Sequence, residues 1–155
     1  MDTTALESAY RRLLDVAGTG GFRPPADTGT WSAELRLAHV VATDRLLAVA
    51  TVGVLEGRSV RYDNSAAGNR HWLAVIGRAA GGHEALIAAV RQSGLELVLL
   101  ARRLEPAHET TAVPTRIVDA DVVRVDAPLP WVATLRTHAE VHLAEQIAAL
   151  EALAR

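Results

Sequence analysis

Four stretches of this 155-residue chain repeat apolar residues at helical spacing, and glycine- or proline-bearing connections separate them. A chain punctuated in that way has few options, because its long segments must bury their apolar stripes against one another. The first stretch, at about 3–17, aligns Leu6, Tyr10, Leu13, Leu14 and Ala17, with Thr3 or Thr4 placed to cap it and Glu7 in its first turn. Gly18, Gly20 and Gly21 stop it. The second, at about 31–56, opens after Thr30 or Ser32 and sets Leu35, Ala38, Ala42, Leu46 and Val49 on one stripe. At ~1.5 Å per residue it is about 40 Å long, the length of a bundle helix. The third, at about 83–104, has Leu86, Val90, Leu97, Leu100 and Leu104 as its core side, and Gly94 marks either a weak point or a close helix contact. The fourth, at about 130–153, is primed by Pro128 and Pro130.

The connections carry smaller elements. Residues 22–30, with Pro24 and Pro25, form a loop, and 58–69 form a polar one. Residues 70–80 read as a short extra helix ended by Gly81 and Gly82. After Pro106 the periodicity changes: β-branched residues alternate with charges over 113–116 and 122–126, which predicts a small hairpin turning near 119–121. The expectation is a single all-α domain over 1–155, a four-helix bundle with an extra helix and a hairpin before the last long helix. Connections this long allow the second and third helices to run parallel, so simple up-down-up-down order is not required.

Two absences limit the chemistry more than the net charge of −2 does. Without cysteine there are no disulfides, thiolate nucleophiles or Cys-ligated zinc. Without lysine there is no Schiff base and no P-loop; all sixteen basic residues are Arg. The charges are mixed in sign, so nucleic acid is not an expected partner. No apolar run reads as a membrane span and the N-terminus lacks the shape of a secretory signal, so the cytoplasm is the expected compartment and no membrane partner is expected.

Histidine placement raises the sharper question. His138 and His142 stand four residues apart on the fourth helix, so both project from one face, where Leu135 continues the line. Paired imidazoles at that spacing can converge on a metal ion, but they need a third ligand. His71, His83 and His108 fall at loops or helix ends and read as solvated side chains. His39 differs, because it sits midway along the second helix on its apolar stripe. A single buried histidine is ordinarily satisfied by a hydrogen bond. Three on facing core stripes make an open three-nitrogen metal site the reading to test, with positions left for water or substrate.

At these residues the chain resembles the DinB-like superfamily. The segment Trp31 to His39 (WSAELRLAH) is similar to that superfamily's second-helix signature, and His138 to Ile147 (HAEVHLAEQI) is similar to its fourth-helix signature. Residues 61–64 (RYDN) fall where its aromatic–acidic loop lies, and the entry into the last helix at Pro130 and Trp131 resembles members related to mycothiol-dependent maleylpyruvate isomerase. The resemblance implies a bundle of up-down-down-up topology, and zinc or nickel held by three histidines. It also implies S-transfer or isomerisation with a small thiol such as mycothiol, and a homodimer. Two departures stand out: the chain stops soon after the fourth helix, without the isomerases' extra domain, and position 145 is Glu where relatives often carry Gln.

On this reading His39, His138 and His142 hold the metal, and the reactive sulfur comes from a small-molecule cosubstrate because the protein has no cysteine. Glu145 could act as a proton acceptor, a partner of a ligand imidazole or a fourth ligand. Tyr62, Asp63 and Asn64 could line the mouth of the site, and Arg36 or Arg136 could steady an anionic small-molecule substrate. Two other classes stay open: a metal-dependent hydrolase with water as nucleophile, and a non-enzymatic metal- or ligand-binding bundle protein.

Overall fold

The computed structural model describes residues 1–27, 29–119 and 122–154. The protein is mostly helical, with a small three-stranded sheet. Helix α1 (Thr4–Gly18) packs on α4 (His83–Arg102) and on α7 (Leu143–Leu153). Helix α2 (Ala33–Leu55) lies chiefly against α4 and also touches α7 and α3 (Arg70–Ala80). The last long helical segment begins as α6 (Trp131–Thr137), passes through a π-helical turn (His138–His142) and continues as α7.

The caps explain the boundaries. Ser32 accepts a hydrogen bond from the Leu35 N–H at 3.3 Å at the start of α2, and Asn69 accepts one from Trp72 at 2.9 Å at the start of α3. Thr3 occupies the N-cap position of α1 but its hydroxyl turns to Glu7 instead of a backbone N–H. Gly81 and Gly82, both at positive φ, make the turn between α3 and α4.

Helix α2 departs from the single stripe expected of it. Leu37, Val40, Val41, Leu47 and Ala50 are buried along with Ala38 and Ala42, whereas Val49 is 72% exposed and Leu35 and Leu46 are only half-buried. The reason is its central position: a helix enclosed on most sides is apolar around its circumference, so its sequence has little amphipathic phase to read. The same enclosure makes 33–55 long and apolar enough to cross a membrane, against the expectation from composition, although most of that stretch is buried against other helices.

The sheet is larger than expected. Strand β2 (Ala112–Asp119) pairs antiparallel with β3 (Val122–Pro130), and β1 (Tyr62–Asp63) pairs parallel with β2 inside the stretch expected to be an irregular loop. Pro128 and Pro130 belong to β3 instead of ending the hairpin before them. They are tolerated because β3 is an edge strand, where a missing N–H breaks no ladder. The turn expected near 119–121 falls partly on residues 120 and 121, which lie outside the described residues. A one-turn helix α5 (Pro106–Glu109), not anticipated either, leads into β2.

Candidate metal centre

Strand β1 and the 3-10 turn after it, Ser65–Gly68, position the first histidine. Asn64 clamps this segment to β2 by donating to the Val118 carbonyl at 3.2 Å and accepting from the Val118 N–H at 2.7 Å. Tyr62 is buried with its ring 5.9 Å from that of Trp131, whose indole N–H donates to the Thr51 hydroxyl at 3.1 Å. The turn is thereby fixed so that the Ala67 carbonyl lies 2.7 Å from His39 Nδ1. A carbonyl can only accept, so Nδ1 carries the hydrogen and Nε2 of neutral His39 is a bare lone pair.

That lone pair faces His142, whose Nε2 is 2.8 Å away. With His39 Nε2 bare, the His142 Nε2–H donates and His142 Nδ1 is left as a buried nitrogen with no partner. The rings of His138 and His142 stack at 4.9 Å with 23° between their planes. The π turn beneath them produces this overlap: the Leu143 N–H reaches back five residues to the His138 carbonyl, and the wider turn sets the two rings nearly above one another.

His138 reaches inward to a network that sequence reasoning missed. Its Nε2 is 3.1 Å from Asp44 Oδ1 and 3.1 Å from the Tyr10 hydroxyl oxygen. Tyr10 donates to Asp44 Oδ1 at 2.6 Å and Ser93 donates to Asp44 Oδ2 at 2.6 Å. Asp44 is 0% and His138 4% exposed, so four helical segments converge on one buried carboxylate. Gly94 makes room for this: a Cβ there would stand 2.7 Å from Tyr10 Cδ1, so this glycine is a close helix contact. The signal was present in α2, where Asp44 and Arg45 are the only acidic or arginine side chains between Arg36 and Glu56.

Burial favours the neutral form of two of the imidazoles, His39 and His142. Burial lowers the proton affinity of His39, partly offset by its bond to Ala67, and burial lowers that of His142 strongly, reinforced by the neighbouring histidines. Burial and Asp44 together hold the Tyr10 hydroxyl protonated. Neutral imidazole is the form that binds metals.

The donor set suits a divalent metal, in that His39 and His138 each have one nitrogen anchored by a neighbouring acceptor, as in carboxylate–histidine–metal arrangements. The spacing is that of a hydrogen bond: two imidazole nitrogens on a tetrahedral zinc stand about 3.3 Å apart, roughly half an ångström more than here. His138 directs Nε2 to Asp44, and its Nδ1, like that of His142, is buried without a partner. Among the described residues no three His, Cys, Asp or Glu side chains already form a coordination set.

The other expected site residues fall elsewhere. Glu145 is exposed, and its neighbour Gln146 takes the inward position. Arg136 is exposed, whereas Arg36 is half-buried one turn before His39. Tyr62 and Asp63 line a separate surface hollow of about 430 Å³ with Arg61, Leu46, Val49 and Ala50, none of them a histidine, and Asn64 is committed to the β2 backbone. His83 is not simply solvated, since its Nε2 bonds the Ala17 carbonyl at 3.0 Å. No protein-family model, curated protein or solved structure matches this chain.

Proposed function

We propose that His39, His138 and His142 form a divalent-metal site in a DinB-like four-helix bundle, and that the protein uses it to activate a small-molecule thiol for S-transfer or isomerisation. The observation that carries this reading is the Nε2–Nε2 approach of His39 and His142 at 2.8 Å, with His39 oriented by Ala67. His138 stacks on His142 and is held in turn by Asp44.

Up-down-down-up topology is supported by which residues meet. Along α1 and α4 the meeting points Ala17 with His83, Tyr10 with Gly94 and Glu7 with Arg102 run in opposite senses. Between α2 and the last helix, Thr51 meets Trp131, His39 meets His142 and Arg36 meets Gln146, again in opposite senses. Asp44 meets Ser93 while Val41 and Leu86 line one hollow, which supports α2 and α4 running in the same direction.

A bound divalent ion would supply Lewis acidity, lowering the pKa of a thiol until it is nucleophilic at neutral pH. The chain's own part is to hold these imidazoles with their hydrogens placed. The Ala67 carbonyl keeps the hydrogen of His39 on Nδ1, and Asp44 keeps that of His138 on Nε2. Trp31 packs its ring edge-on to His39 at 5.1 Å and shields that imidazole from water.

Elemental analysis of protein purified without chelators tests the site: wild type should carry roughly one equivalent of zinc or nickel and His142→Ala should lose it. A metal-free wild type would overturn the reading. Turnover of an electrophilic acceptor should require added mycothiol or a simpler thiol. Thiol-independent turnover of an activated ester would instead assign hydrolysis.

A further inference from the structure

Arg36 is placed unlike the other arginines of the described residues. Only Arg36 and Arg116 among them are half-buried, and Arg116 is matched by Asp126 at 2.6 Å. Arg36 has no acidic partner among the described residues. Its Nη1 donates to the Gln146 side-chain oxygen at a long 3.3 Å, and its Nε is buried with no acceptor. A half-buried guanidinium left this way is short of an anion, because an unmatched buried donor is costly.

Its position relates that shortage to the histidines. Arg36 precedes His39 by one turn on α2, and Gln146 follows His142 by one turn on the facing helix, so the two contacts lie about 5 Å apart along the same helix pair. Trp31, Arg36 and His142 are half-buried, whereas His39, His138 and Asp44 are buried. The cluster therefore meets solvent at the Arg36 end.

Resting on the reading of the histidines as the reaction centre, we propose that Arg36 binds a carboxylate of the substrate and so sets which part of it reaches His39 and His142. With Nη1 on Gln146, the groups left are Nε–H and Nη2, the side-on pair whose parallel N–H bonds match the two oxygens of a planar carboxylate. Because Nε is buried, a carboxylate engages this pair only when the Arg36 stem swings outward. One guanidinium without a second cation beside it suits a carboxylate better than a phosphate dianion. The substrate class is thus a small electrophile with a carboxylate a few bonds from its reacting atom.

The test follows the ¹⁵N–¹H signal of Arg36 Nε while sodium benzoate is added, with benzamide as the neutral match, in protein stripped of metal by a chelator and again after zinc is added. The signal should shift saturably with benzoate and not with benzamide. Arg36→Gln, followed by backbone amide shifts near His39, should weaken benzoate binding roughly tenfold to hundredfold, and Arg36→Lys should fall between. If Arg36→Gln does not fold, Arg36→Lys carries the comparison, since it keeps the charge and loses the fork. Equal binding of benzoate and benzamide, or Arg36→Lys equal to wild type, would overturn the proposal. Zinc binding with no benzoate response removes the carboxylate role and leaves the metal site standing. A benzoate response without zinc binding removes the metal reading and leaves the anion site.

Discussion

Replacing Asp44 separates charge from hydrogen bonding at the centre of the molecule. In Asp44→Ala the Tyr10 and Ser93 hydroxyls and the His138 N–H lose a common acceptor in a site with no exposure. Some of that loss is recoverable, because Ser93 already has the Val90 carbonyl at 3.3 Å and Tyr10 and His138 lie 3.1 Å apart. Removing one partner of a buried pair costs about 3–5 kcal/mol, and this partial recovery points to the lower half of that range. Asp44→Asn has the same shape. Its carbonyl oxygen can accept from Tyr10 and His138, and its amide can donate to Ser93 once that hydroxyl turns wholly to Val90. The expected cost is therefore only about 1 kcal/mol. Urea denaturation of metal-free protein at pH 7 measures both without ligand linkage. In a chain of this size the alanine variant should melt roughly 6–16 °C below wild type and the asparagine variant about 2–4 °C below. If Asp44→Asn were as damaging as Asp44→Ala, the negative charge, and not the set of hydrogen bonds, would hold the network together. The assignment of donors to each oxygen would then be wrong.

Gly94→Ala drives a methyl group into the Tyr10 ring, which its bond to Asp44 holds in place. Overpacking of about 1–3 kcal/mol, less about 1 kcal/mol of helix propensity, should leave a net loss seen in the same denaturation assay, and a stabilised variant would mean the ring yields freely. Burial holds the folded-state pKa values of His39 and His142 below the ordinary 6.5, so below that pH the unfolded chain binds more protons than the folded one. Stability of the metal-free protein is then intact above pH 6.5 and falls as pH drops toward the folded values, by up to about 1.4 kcal/mol per pH unit for each histidine. A flat profile between pH 5 and 7, where exposed carboxylates contribute little, would count against buried neutral imidazoles.

Periodicity was enough to locate the long helices, because α1 and α4 each turn one side to the core: Leu6, Tyr10 and Leu13 on one, Leu86, Val90 and Leu97 on the other. It placed α2 as well but gave it one stripe, because a helix enclosed on most sides has no phase to detect. The two-residue strand β1 owes its existence to a partner about fifty residues away, and no local pattern encodes such a pairing. His39, His138 and His142 were legible as a group because histidine is unusual on an apolar stripe. Asp44 was equally unusual but lay off the stripe expected for α2, and its partners Tyr10 and Ser93 come from two other helices. Glu145 and Gln146 show how finely direction depends on register, since adjacent residues on one helix went to solvent and to the interior.

The π turn at His138–His142 has a hereditary consequence. A π turn contains one residue more than the α-helical turn it replaces, so it amounts to a single-codon insertion retained in place. Downstream, Leu143, Ile147 and Leu150 reach the core only with that residue counted. Losing one codon between Thr137 and Leu143 would restore regular helix, but it would turn the following segment by about 100° and face its polar side inward. Lineages of this chain can exchange the side chains at the site one at a time, but they can shorten this turn only by rebuilding the seam beyond it.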